Sequence, residues 1–149
     1  MDETDRKILR ILQIDSSLSV SNIALQVGLS ASPCWKRINR LQNEGIIKRK
    51  IAVLDAETLG LGLTAYVSIR TGEHSSAWLK DFSDTVTEMP EVMEFHRMAG
   101  DVDYMLKVMV PDISAFDAFY KRLISTSAIN EVTSRFSMET IKDTTALPI

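Results

Sequence analysis

The side chains best equipped for chemistry in this chain crowd into one stretch, "SASPCWKRINRLQNEGIIKRK", Ser30 to Lys50. It is rich in Lys and Arg and holds a single acidic residue, Glu44. Arg and Lys donate to guanine O6 and N7 or to phosphate, Asn pairs with adenine, and Ser reaches either. Helical phase sorts the stretch. Cys34, Ile38 and Leu41 recur at i, i+4 and i+7 and predict a core stripe. Ser32, Trp35, Lys36, Asn39, Arg40 and Asn43 lie away from it. Ser30 stands at the helix start, and Pro33 falls in the first turn, where its missing N–H costs nothing. A helix N-terminus adds backbone donors for a phosphate. The candidate DNA contacts are therefore Ser30, Ser32, Pro33, Trp35, Lys36, Arg37, Asn39 and Arg40, with Lys48, Arg49 and Lys50 clamping the backbone. The bland alternative is a solvated charged face. Trp35 either meets a base or packs under the following segment, and Arg37 is either a phosphate contact or partly structural. Cys34 is read as a small core residue, because its phase points inward.

The second conspicuous stretch is "AGDVDYMLKV", with Asp101 and Asp103 flanking a turn beside Gly100, Val102 and Tyr104. It has three readings. It closes a hairpin, as Gly-Asp turns do. It supplies an acid and a base, but no Gly-rich phosphate loop, Ser-His-Asp pattern or His cluster accompanies it. Or its backbone N–H groups and a carboxylate hold the charged ends of a free amino acid. No catalytic activity, metal or cofactor is expected, beyond an amino-acid effector. Two His and one Cys are too few for a dedicated metal cage, and one cysteine forms no internal disulfide. His96, mid-strand, reads as a structural histidine rather than a ligand or pH switch.

The elements that must position these residues follow from period. "DETDRKILRILQID" predicts a helix capped by Asp2, with Ile8, Leu9, Ile11 and Leu12 on one stripe. "SVSNIALQVG" predicts a second, from Ser19 as cap to Gly28 as stop. Only "GLS" separates it from the basic helix, which is helix-turn-helix grammar and favours the DNA reading over the solvated face. "GIIKRKIAVLD" predicts a short strand, and "DAETLGLG" a hinge or turn. Thereafter the order is β, α, β, β, α, β, with strands in "LTAYVSIRT", "EVMEFHRMAG", "DYMLKVMV" and "INEVTSRFSMETIK". The fold class is α+β: a winged helix-turn-helix domain, then a ferredoxin-like domain with two helices on one sheet face. The bare face calls for cover, for which a second copy is the obvious candidate. The expected boundaries are a DNA-binding domain at 1–50, a linker at 51–61, and an amino-acid-binding and oligomerisation domain at 62–149. The partly apolar tail "DTTALPI" is expected to pack on a neighbour.

Charge divides the same way. Residues 1–50 hold nine Lys/Arg and five Asp/Glu, net +4; residues 51–149 hold eight and fifteen, net −7. The first half suits phosphates and the second would be repelled by them. The N-terminus is charged at once, without a signal peptide's apolar core, so a mature cytoplasmic protein is expected. No run approaches the length of a membrane span. A binding or assembly module without a direct DNA role is the competing function class. The +4 half argues against it.

These stretches resemble the Lrp/AsnC, or feast/famine, regulators almost end to end. The matching features are "MDETDRKIL", "LSASPCWKRINRLQNEGII", "AVLDAETLGLGLTAYVSI", "PEVMEFHRMAGDVDYMLKVMVPD" and "IKDTTALP". Within the family, "PCWKRINRL", "HSSAW" and "TTALP" look like the cysteine-responsive branch, though leucine- and methionine-responsive members share much of this. The resemblance implies DNA recognition by the helix from Ser30 to Glu44 at a pseudo-palindromic operator. It implies homodimers assembling further, often to octamers, and nucleoid association in the cytoplasm. It also implies an effector pocket lined by Gly100, Asp101, Val102, Asp103 and Tyr104, closed by Ser134 and Phe136, with Met98 nearby. Arg135 departs from the family's pattern, so the identity of the effector does not carry over.

Overall fold

The computed structural model describes residues 1–72, 75–125 and 129–149. His74 of the "HSSAW" stretch lies outside them. The chain divides into two compact units, Met1–Val53 with Ile141–Ile149, and Leu54–Thr140.

The first unit holds helices α1 (Glu3–Leu12), α2 (Val20–Val27) and α3 (Ala31–Asn43). Their inward stripes, Ile8, Leu9 and Leu12 with Ile23, Ala24, Cys34, Ile38 and Leu41, form one buried cluster. Asp2 caps α1 reciprocally: its carboxylate accepts from the Asp5 N–H, and the Asp5 carboxylate accepts from the Asp2 N–H. Ser19 caps α2 through the Asn22 N–H. Gly28 ends α2 at φ 71°, and the Leu29 N–H returns to the Ala24 carbonyl. Left-handed backbone penalises a Cβ, so glycine suits this stop. Gly45 repeats the device after α3, at φ 73°, with the Ile46 N–H on the Leu41 carbonyl.

The strand expected in "GIIKRKIAVLD" does not form. Among the described residues, 46–55 belong to no ladder, and Ile51, Val53 and Leu54 are exposed. A strand's backbone groups need a partner edge, and among the described residues none pairs with this stretch. The turn expected at "DAETLGLG" is present, with the Asp55 side chain accepting from the Thr58 N–H and Gly60 at φ 79°.

The second unit is β1 (Leu63–Arg70), α4 (Ser76–Thr87), β2 (Val92–Arg97), β3 (Tyr104–Val110), α5 (Ile113–Ser125) and β4 (Glu131–Phe136). The antiparallel sheet runs β2-β3-β1-β4. Ala65, Val67 and Ile69 of β1 face Val108, Leu106 and Tyr104 of β3 across the ladder. These join Phe82, Val86, Phe116, Phe119 and Leu123 from α4 and α5 in one core. Phe82 stacks on Trp78 at 4.8 Å and meets Phe95 edge-on at 5.6 Å. Alternation puts Tyr66 and Ser68 of β1, Met105 and Lys107 of β3, and Thr133 and Arg135 of β4 on the face without helices. The last strand is shorter than "INEVTSRFSMETIK" suggests: its ladder with β1 runs from Arg70↔Glu131 to Ala65↔Phe136, and the Ser137 N–H makes one further bond to the Thr64 carbonyl.

Residues 141–149 group with the first unit instead of the second. The Gln13 amide donates to the Leu147 carbonyl and accepts from the Leu147 N–H, both at 2.9 Å. Arg10 Nε donates to the Ile149 carbonyl at 2.5 Å, and the Ile149 side chain joins the helical core.

Candidate functional site

α3 separates its faces as its phase predicts. Cys34, Ile38 and Leu41 are buried, while Ser30, Ser32, Pro33, Trp35 and Lys36 are exposed and Asn39 is half-buried. Ser30 occupies the N-cap position without spending its side chain on a cap hydrogen bond. Trp35 is 55% exposed, which places it on the surface rather than beneath a wing. Burial raises the Cys34 thiol's pKa, the Arg37 charge only partly opposing this, so a thiolate is disfavoured.

The cations are not equivalent. Lys36, Lys48, Arg49 and Lys50 are exposed and form no ion pair among the described residues. Arg37 is spent within the domain: its Nη1 lies 2.7 Å from Asp2 Oδ2 and 2.8 Å from Asp5 Oδ1. Arg40 Nη2 lies 2.5 Å from Asp5 Oδ2, although its side chain is 45% exposed. Arg40, expected as a DNA contact, is a structural partner of Asp5 in the fold, with part of its side chain still exposed.

Asp5 is the residue this reading of the sequence missed. Its side chain is fully buried, yet it takes the Asp2 N–H and two guanidiniums. Burial opposes its ionisation, but the Asp2 backbone donor and then Arg37 and Arg40 outweigh that. Its carboxyl is held well below the ordinary value. A signal existed. Asp5, Ile8, Leu9 and Leu12 follow i, i+3, i+4, i+7, so Asp5 sits in α1's apolar stripe. Arg37 stands likewise between Cys34 and Ile38 in that of α3.

In the second unit, Ser68, Arg70, Asp101, Val102, Glu131, Thr133 and Arg135 line a hollow of about 110 Å³. Arg135 Nη1 donates to Ser68 Oγ at 3.0 Å, and Arg70 pairs with Glu131 at 3.4 Å. Of the residues expected at the effector site, Asp101 and Val102 line this hollow. Met98 and Gly100 are exposed in the same β2–β3 connection, with Gly100 at φ 132°. Asp103 secures that connection: Oδ2 accepts from the Thr71 N–H at 2.8 Å, and its own N–H donates to the Ile69 carbonyl. Tyr104 is buried among the core rings. Ser134 and Phe136 pair with Val67 and Ala65 on the helix-covered face, where Phe136 meets Phe116 edge-on at 4.9 Å. Within one chain, the turn and the Ser134–Phe136 group are therefore on opposite sheet faces. Arg135 and Ser68, absent from the expected set, are the residues beside the turn. Their alternation with Ser134 and Val67 was the available signal. His96 is exposed, its Nε2 3.1 Å from Glu94 Oε2.

Residues 1–48 match the winged helix-turn-helix DNA-binding family, and residues 64–147 match the Lrp/AsnC ligand binding domain. The chain belongs to the Lrp/AsnC family. This Lrp/AsnC protein is 52% identical to the DNA-binding transcriptional activator DecR of Escherichia coli (strain K12), over 100% of this chain and 99% of that one. It superposes with TM-score 0.97 on an AsnC family transcriptional regulator from Agrobacterium tumefaciens, at 57% identity, covering 99% of this chain and 97% of that one. A transcriptional regulator from Neisseria meningitidis, solved as its L-Met complex, gives TM-score 0.95 at 34% identity, covering 99% and 96%. The Lrp/AsnC chain is thus a DNA-binding transcriptional regulator with an amino-acid-binding domain. The two domain families matched are a DNA-binding and a ligand-binding one, and the relatives named above are transcriptional regulators. Among the described residues no helix is long and apolar enough to cross a membrane.

Proposed function

We propose that this regulator, which is not an enzyme, reads double-stranded DNA through the exposed face of α3, and that an amino acid bound beside the β2–β3 turn adjusts its assembly or DNA binding. The observation that supports the DNA half is the split of α3. Ser32, Trp35, Lys36 and Asn39 stand opposite a buried stripe, and Lys48, Arg49 and Lys50 follow, exposed and in no ion pair among the described residues. Two copies present two such helices to successive major grooves, so the operator is a pseudo-palindrome with half-sites about one turn apart. Working on DNA, the protein belongs in the cytoplasm with the nucleoid. Lys36→Ala should weaken binding to any duplex alike and lower the salt slope by about 0.9, the value of one phosphate contact. Binding titrations across a salt series check this, and an unchanged slope removes Lys36 from the interface.

The effector half rests on the hollow at Asp101 and Val102. It presents both signs of charge, Arg70 and Arg135 with Asp101 and Glu131, and a free amino acid carries both. Open backbone at Gly100 gives a ligand carboxylate close approach. The L-Met held by the Neisseria relative supports an amino acid as the ligand class, and cysteine, leucine and methionine are the first to test. The expected result is a melting temperature raised by one of the twenty amino acids, since a ligand of the folded state stabilises it by mass action. Asp101→Ala should abolish that rise while leaving DNA binding intact. Asp101 is the better probe than Asp103, whose removal takes the 2.8 Å acceptor from the Thr71 N–H and loosens the turn itself.

A further inference from the structure

We propose that Asp5, a residue that never touches DNA, is a positioning residue for DNA recognition, acting through Arg40. This rests on the reading that the exposed face of α3 meets the duplex. The geometry separates two arginines on one helix. Arg37 gives a guanidinium nitrogen to two carboxylates and keeps 31% of its side chain exposed, so it joins α3 to the start of α1. Arg40 gives Asp5 only Nη2. Among the described residues its Nε and Nη1 make no hydrogen bond, and Glu44 Oε1 lies 3.9 Å from Nε. A guanidinium carries five donors in a rigid planar fork. Anchored at one corner, it offers the rest to a base edge or phosphate without first choosing among rotamers.

The anchor itself is stiff. Asp5 is fixed by the Asp2 N–H at 3.0 Å, by its place in the α1 capping box and by full burial. Ordering a long side chain on binding costs affinity, and preorganisation removes that cost. A free arginine also adapts to whatever lies before it. Asp5 therefore trades general attraction for discrimination. Without it, Arg40 is a mobile cation that serves any phosphate, and Arg37 gains freedom to do the same.

The test compares binding to a duplex selected from a random library by the wild-type protein with binding to a scrambled duplex of the same composition. Arg40→Gln should lower the selected-to-scrambled affinity ratio. Asp5→Asn should lower it by about 2–10-fold, the factor for ordering one rotamer-rich side chain. It should also steepen the salt slope on scrambled DNA by up to about 0.9 per arginine released. The double variant should show no further loss of ratio, because both changes remove one device. A purely structural Asp5 would lower both affinities together and leave the ratio unmoved. That result, in a folded Asp5→Asn protein, overturns the proposal while leaving the α3 reading intact. An unchanged ratio for Arg40→Gln overturns the Arg40 part of that reading and this inference with it. If Asp5→Asn does not fold, Asp5→Asn/Arg37→Gln, which removes both inward charges, takes its place with the same expected loss of ratio.

Discussion

At the scale of single residues, the carboxylates of this chain divide by what they are bonded to, not by where the sequence displays them. Asp101 and Asp103 are two residues apart, yet Asp101 lines the hollow while Asp103 accepts the Thr71 N–H. Asp5, hidden in an apolar stripe, accepts from one backbone N–H and two guanidiniums. Its pKa in the folded state lies below the ordinary 3.8. Its bonds therefore contribute stability that is whole above that value and is lost as pH falls through the folded pKa. The stability gap between wild type and Asp5→Asn, from urea melts, should be widest near neutral pH and narrow as pH drops below 3.8. A gap that widens in acid would contradict the ion-paired assignment. Near neutrality it should be about 1–3 kcal/mol, since the half-exposed guanidiniums can turn to water.

At the scale of elements, the helix-turn-helix depends on two abrupt stops. Gly28 lets α2 end and α3 begin within three residues, which fixes the angle at which α3 is presented. A Cβ at Gly28 would meet nothing within 4 Å, but φ is +71°. Gly28→Ala should therefore cost about 1 kcal/mol through backbone strain alone, read as a lower melting midpoint of the N-terminal unit. In the second unit the sheet and helices share one aromatic core. Phe82 is fully buried and contacts the rings of Trp78, Phe95 and Tyr104. Phe82→Ala should cost about 3–5 kcal/mol in chemical denaturation. A small effect there would mean that the core closes over the gap.

At the scale of the whole molecule, two features point beyond a simple pair of domains. The tail from Ile141 to Ile149 completes the N-terminal unit rather than the unit it follows in sequence. Deleting residues 147–149 removes three hydrogen bonds and the Ile149 contact. It should destabilise the N-terminal unit by about 1–3 kcal/mol, seen as a lower melting temperature, with the ferredoxin-like unit unchanged. The helix-free sheet face, with Tyr66 43% exposed beside Met105 and Met109, is the surface we propose for a second copy. Tyr66→Asp should shift the sedimentation profile towards monomer. Persistence of the wild-type assembly would place the contact elsewhere.

Apart from the strand expected in "GIIKRKIAVLD", the sequence by itself determined the elements and their order, because caps, stops and hydrophobic period are local. Asp2, Ser19, Gly28 and Gly45 mark boundaries that the structure places where the residue types require. The βαββαβ order likewise leaves few ways to build a sheet. The outward face of α3 was legible for the same reason: one buried stripe defines its opposite. What only the tertiary structure decided is partnership between distant segments. That Arg37 and Arg40 meet Asp5 depends on how α1 packs on α3. That Arg135 and Ser68 stand beside Asp101, while Ser134 and Phe136 turn to the other face, depends on strand register, where one residue's shift reverses every side chain. That "GIIKRKIAVLD" stays unpaired depends on whether an edge is within reach. The tail's place on α1 is likewise set by contacts across some 134 residues of chain, which no local pattern encodes.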